Sequence, residues 1–349
     1  MPTSVEKVIQ ELTETKDGLV AHKKVRNLCK QAEQGDEKSF LGLLEYMQFG
    51  KIDHVRTHVC SLLSEMVSAQ RCGLLVDIFR RGLADNALRY WSIDGLALTA
   101  GSDSYRDLSA IALNEDYRLE ERAKAIQTLA RTSLQPFNRG LNRDPGYWKE
   151  KDLRLDELKL WQDAGFPQGA GLPQPARDPA LDNPQTDFEK VISDFDSRLA
   201  RYRANDPDEK TNPSNYLAAA SKDDMEAVKQ RWSLPKKYLT FLERFSPNNM
   251  TCELQLKFAS SGFDLYSAST ILENQAGFAF DPQTGKRHSD WPESYVVIGD
   301  AWADPFVFDL SKCDENDGPI FTAQHGTGEW SFRKYAKSFE ALVQKLKVT

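Results

Sequence analysis

A chain of 349 residues exceeds what one hydrophobic core organises, a limit of roughly 250–300 residues, so two folding units are expected. Apolar residues at 40% and charged residues at 28% exclude wholesale disorder, and a net charge of −7 argues against direct nucleic-acid binding, because phosphate backbones demand a basic footprint. No run approaches the ~18 apolar residues of a membrane span, no cationic start leads into an apolar stretch, and the five scattered cysteines form no Cys-x-x-Cys; a cytoplasmic protein with no disulfide framework, zinc site or cofactor is expected.

The first half repeats. VRTHVCSLLSEMV, LRYWSIDGLALTA and ERAKAIQTLARTS superimpose at an offset of 33 residues, which aligns Arg56 with Arg89 and Arg122, Cys60 with Ile93 and Ile126, and Leu63 with Leu96 and Leu129. The columns lie four and three residues apart, as one face of a helix requires. Each segment follows another apolar helical stretch, Phe40 to Met47, Leu74 to Leu83 and Leu108 to Leu113. The unit is therefore a helix pair, and such pairs bury their apolar faces only by stacking. The pattern resembles HEAT-like repeats, with VEKVIQEL and VRNLCKQA as a first, capping pair. The repeated arginines read as spacers that pair with acidic neighbours between repeats, or else as groups lining a binding surface. His54 and His58 share a helix face, but HVRTH lacks the glutamate of HExxH and no third ligand is evident in the sequence, so no metal site is expected.

The repeat fades after Pro136, with one more helix expected around Leu153 to Trp161. A Pro- and Gly-rich stretch over 164–185 then disfavours helix and sheet, and reads as a semi-stiff linker between a helical-repeat domain at 1–163 and an α+β domain at 186–349. In the second domain, helices are expected at 186–203, after the Ser221/Asp224 capping pair, and over KKYLTFLERF. CELQLKFA and FDLYSA alternate as half-buried strands do, and YVVIG, PFVFDL and PIFTA are short β-rich runs. STILENQAG reads as a short helix, Gly326, Thr327 and Gly328 as a hairpin turn, and FRKYAKSFEALVQKLKV as a closing helix with Phe332, Tyr335, Phe339, Leu342 and Leu346 on one stripe. The whole is an α-solenoid followed by an α+β sandwich whose central antiparallel sheet is flanked by helices.

From Asp290 to Glu329 nine acidic residues face the single Lys312. Trp291, Trp302 and Trp330 sit beside Asp290, Asp304 and Glu329, and IGDAWADP places Asp300, Trp302 and Asp304 between two strands. Clustered carboxylates with interleaved tryptophans suit a basic protein partner. The plainer reading has the tryptophans in the core and the acids as a solvated rim. If the patch binds, charge reversal at Asp300 and Asp304 weakens the complex without lowering the melting temperature.

LPKKYLTFL, the strand pair after it, YVVIGD followed by DPFVFDL, and EWSFRKYAKSFEALVQKL occur in an order that resembles the SUKH superfamily, which includes bacterial immunity proteins and fungal cell-wall-assembly regulators. The resemblance spans 186–348, although the stretch between Arg201 and Ser221 is longer and more polar than the family pattern. It implies function by binding: a bacterial protein, monomeric or weakly dimeric, that neutralises a toxin, a nuclease or deaminase, or alternatively a scaffold or regulator with no toxin partner. It carries no catalytic site. GxSxG, P-loop, GxGxxG and HExxH motifs are all missing from the sequence, His288 and His325 near Asp290 and Asp309 read as solvated, and Cys252 and Cys313 have no basic neighbour, so no enzymatic activity is expected.

Overall fold

The computed structural model describes residues 4–248, 250–255, 260–281, 284–326 and 330–347. The chain divides into two units, Met1–Leu172 with Lys210–Asn212, and Pro173–Glu209 with Pro213–Thr349.

Helices alone build the first unit: α1 (Ser4–Glu14), α2 (Gly18–Glu33), α3 (Glu37–Phe49), α4 (Asp53–Glu65), α5 (Cys72–Ala84), α6 (Arg89–Ala100), α7 (Tyr105–Leu113), α8 (Leu119–Ser133) and α9 (Leu155–Asp163). Asp17 caps α2 by accepting the Leu19 and Val20 amides, and Asp36 caps α3 through Ser39. Antiparallel neighbours pair as α3 with α4, α5 with α6 and α7 with α8, while α4 packs on α6 and α6 on α8. All six residues of the two apolar columns, Cys60, Ile93, Ile126, Leu63, Leu96 and Leu129, are fully buried. Between α5 and α6 the approach is close: a Cβ on Gly95 would sit 2.4 Å from the Phe79 ring.

The three repeated arginines are spacers of a specific kind. Each turns Nε back to a carbonyl at the end of the preceding helix, Arg56 to Met47 (2.9 Å), Arg89 to Leu83 (2.8 Å) and Arg122 to Ala112 (3.2 Å). Each guanidinium then reaches an acid further along the chain, Asp85 at 2.5 Å and Glu121 at 3.3 Å in the next repeat, and Glu150 at 2.5 Å beyond the last one. The fork geometry of arginine serves both partners at once. At Arg56 burial opposes the charge, but the hydrogen bonds it donates to Asp85 and Asp53 outweigh it and hold the guanidinium above its ordinary value.

The Pro- and Gly-rich segment is docked along its length. The Pro167 carbonyl accepts from Trp161 Nε1 (2.8 Å) and Gln135 (2.9 Å), and Gly169 and Gly171 donate to Ser133 and Leu134 at the end of α8. After Pro173 the contacts are those of the second unit, where Arg177 pairs with Asp196 and Asp178 with Arg244.

The second unit runs α10 (Asp187–Arg203), β1 (Tyr216–Ala218), α11 (Lys222–Arg231), α12 (Lys236–Phe245), β2 (Ser246–Asn248), β3 (Thr251–Gln255), β4 (Ser260–Leu265), α13 (Ala268–Glu273), β5 (Tyr295–Ala301), β6 (Asp304–Asp309), β7 (Ile320–Thr322), β8 (Arg333–Ala336), α14 (Phe339–Lys345) and β9 (Leu346–Lys347). The main sheet is antiparallel throughout, in the order β8-β7-β6-β5-β4-β3-β9, and β1 and β2 form a separate ribbon. Helices α10, α12 and α14 meet around Phe339, whose ring lies 4.8 Å from Tyr238, 5.0 Å from Phe241 and 6.2 Å from Phe308. The closing segment departs from the sequence expectation of one helix. Arg333–Ala336 pairs with β7, Ser338 caps a short helix through the Ala341 amide, and Leu346–Lys347 returns to the sheet beside β3. The apolar spacing of three and four there was shared by two strands and a helix, each meeting the same core.

Candidate functional site

Strands β5 and β6 are joined by two residues only, since Ala301 pairs with Asp304 across the hairpin. Trp302 and Ala303 both take positive φ, 56° and 70°. Two consecutive left-handed residues define a type I′ turn, which matches strand twist but strongly favours Asn-Gly. Here the first position carries a bulky aromatic that is 77% exposed. The conformation is imposed by its flanks. Asp300 accepts the Ala303 amide (3.0 Å) and the Tyr266 hydroxyl (2.6 Å), and Asp304 accepts both the amide (2.8 Å) and Nδ1 (2.7 Å) of His325. Burial, then the bond to Asp300, pushes the Tyr266 hydroxyl well above its ordinary value, so it stays a donor. Beneath the tip, the Trp302 indole nitrogen lies 3.5 Å from where a Cβ on Gly262 would sit. Asp300 faces Asp264 across β4 and β5, which adds an exposed carboxylate to the tip.

A second group surrounds Trp291. That ring is only 3% exposed, so it fills the core, as the plainer sequence reading has it. Trp330 and Phe332 stand edge-on to it at 5.3 Å each. Asp290 is exposed and accepts the Trp330 amide at 3.2 Å, and Trp330 itself is half-buried. Glu329, with Thr327 and Gly328, lies outside the described residues.

Most other acids of the segment are committed to the fold. Asp309 is 2% exposed and bonds Ser294, Ser311 and Lys312. Burial there opposes ionisation, but those three partners outweigh it and keep the carboxyl below its usual range. Asp317 accepts the Phe339 and Glu340 amides at the start of α14, and Asp314 accepts two turn amides. Asp300 and Asp304 are half-buried turn supports rather than free rim charges. Reversing them would dismantle the hairpin, so the sequence-based test, which assumed unchanged stability, does not isolate binding. Tyr266, Gly262 and Asp264 were missed in sequence because only strand pairing brings β4 beside the turn.

Elsewhere, Cys313 is no ready nucleophile: burial, then Asp309, Asp317 and Asp314, pushes its thiol up to about 12. His54 and His58 gain a neighbour that the sequence did not reveal, His22 of α2, with ring centroids at 5.5 and 5.2 Å. Among the described residues no three His, Cys, Asp or Glu groups are placed to hold a metal ion. Among them, too, no helix is long and apolar enough to cross a membrane.

Residues 219–345 match the SMI1 / KNR4 family (SUKH-1), a span that runs from just after β1 to the end of α14 and contains the hairpin and the tryptophan group. No curated protein matches the chain, and no solved structure does.

Proposed function

With a SUKH-1 domain over residues 219–345, the chain, we propose, acts by gripping another protein: it is an immunity protein that masks a toxin domain with a basic active cleft. Trp302 is the observation that carries this reading. An indole 77% exposed on a turn of two positive-φ residues costs folding energy and gains little burial. Strain and exposed aromatics of this kind concentrate where a partner repays them. The surrounding carboxylates of Asp264, Asp300 and Asp304 favour encounter with a cleft that attracts phosphates. A second reading, a scaffold with no toxin partner, draws on the helical-repeat array, which offers a surface of its own.

Co-expression with the C-terminal segment of the protein encoded by the adjacent gene, tested for toxicity on its own, separates the two. Restored growth and a co-purified complex are expected, and Trp302→Ala is expected to weaken both without a fall in melting temperature. Growth arrest with no complex sinks the immunity reading and leaves the scaffold.

A further inference from the structure

Three of the chain's five histidines meet at one junction, between the first helix pair and the second. His22 projects from α2, while His54 and His58 stand one turn apart on α4, at 5.5 and 5.2 Å from it between ring centroids. The His54 ring is pressed against the start of α2, where a Cβ on Gly18 would lie 2.9 Å from its Nε2. No carboxylate is among the groups acting on His22, and several on the packed helices have other partners: Asp17 caps α2 at the Leu19 and Val20 amides, Glu11 of α1 pairs with Lys24, Glu37 of α3 with Arg71, and Asp53 of α4 with Arg56. The remaining charged neighbour acting on His22 is Arg26, itself cationic.

We propose that His22, His54 and His58 form a proton-sensing junction. When neutral, the three rings let α2 lie on α4; when protonated, they repel and loosen the first helix pair from the array. The proposal is independent of the partner reading. Burial, then His58, His54 and Arg26, holds His22 below its ordinary 6.5. A depressed value means that the loosened form binds more protons. The stabilisation is therefore complete above about 6.5 and is lost as the pH falls through the lower folded value.

With only five histidines in the chain, an NMR titration of the full-length protein resolves the trio from His288 and His325. His22 is expected to titrate below its ordinary value and to move upward in His58→Gln. The melting temperature of the wild type is expected to fall about 3 °C more than that of His58→Gln between about pH 7.5 and about pH 5.5. If His58→Gln does not fold, His54→Gln serves the same comparison, and the wild-type titration stands alone. A His22 that titrates at its ordinary value, or that ignores removal of its neighbours, overturns the proposal.

Discussion

At Trp302 a residue is kept where its backbone is least comfortable. Left-handed conformation costs a non-glycine residue roughly 1–2 kcal/mol, and the turn holds two such residues in succession. Trp302→Asn combined with Ala303→Gly supplies the residues this turn prefers, and is expected to raise the melting temperature by about 3 °C while weakening partner binding. A lowered melting temperature would mean that the indole over Gly262 stabilises the fold and that its exposure is incidental. The sequence identified the position, because IGDAWADP falls between strands, but not the role of its neighbours. Whether an aspartate faces a partner or supports a turn depends on loop length, and two residues leave Asp300 no choice but Ala303. Arg89 makes the complementary case in the helical half. Arg89→Met removes one of two arginines from the fully buried Glu121 carboxylate, which Arg118 still holds at 3.0 Å, and takes the donor from the Leu83 carbonyl; it is expected to cost about 1–3 kcal/mol, read by urea unfolding. Arg89→Lys is expected to recover little, since one ammonium does not reach Leu83 and Glu121 together.

Elements with a long, single period were the legible ones. The 33-residue repeat fixed which faces of α4, α6 and α8 are buried, because a helix in a stacked array meets the same environment in every repeat. The closing segment was misread because a seven-residue helix and two short strands, all touching one core, imitate a helical stripe. The segment after Pro173 shows another limit, since its docking depends on partners far away in sequence. Arg244 binds Asp178 with two nitrogens, at 2.9 and 2.8 Å, and Glu189 with the third, at 2.7 Å, tying that segment to α10 and α12. The hydrogen bond from Arg244 is the first cause holding both carboxyls below their ordinary 3.8 and 4.5. Depressed carboxyls stabilise fully above those values, and their contribution is lost as the pH falls below them. Arg244→Gln is therefore expected to be less stable than wild type near neutrality and to converge with it as the pH falls through the two lowered carboxyl values. Curves that stay parallel through acid would assign the contact no electrostatic role.

Across the whole molecule, two cores form from one chain, dividing at Leu172 and Pro173, where the sequence offered a linker over 164–185. It did not show that this stretch is docked, nor that Lys210–Asn212 belongs with the first unit; both follow from long-range hydrogen bonds such as Asn212 Nδ2 to the Leu141 carbonyl at 2.9 Å. Each unit leaves a different feature exposed, and the proposed function draws on both: an aromatic tip ringed by acids in one, a helical array in the other. The most direct measurement is the dissociation constant of the full chain and of Trp302→Ala for the proposed toxin partner, by calorimetry. A central aromatic anchor contributes about 2 kcal/mol or more, so a roughly thirtyfold weakening is expected. An unchanged constant would show that the partner is gripped elsewhere and would contradict the account.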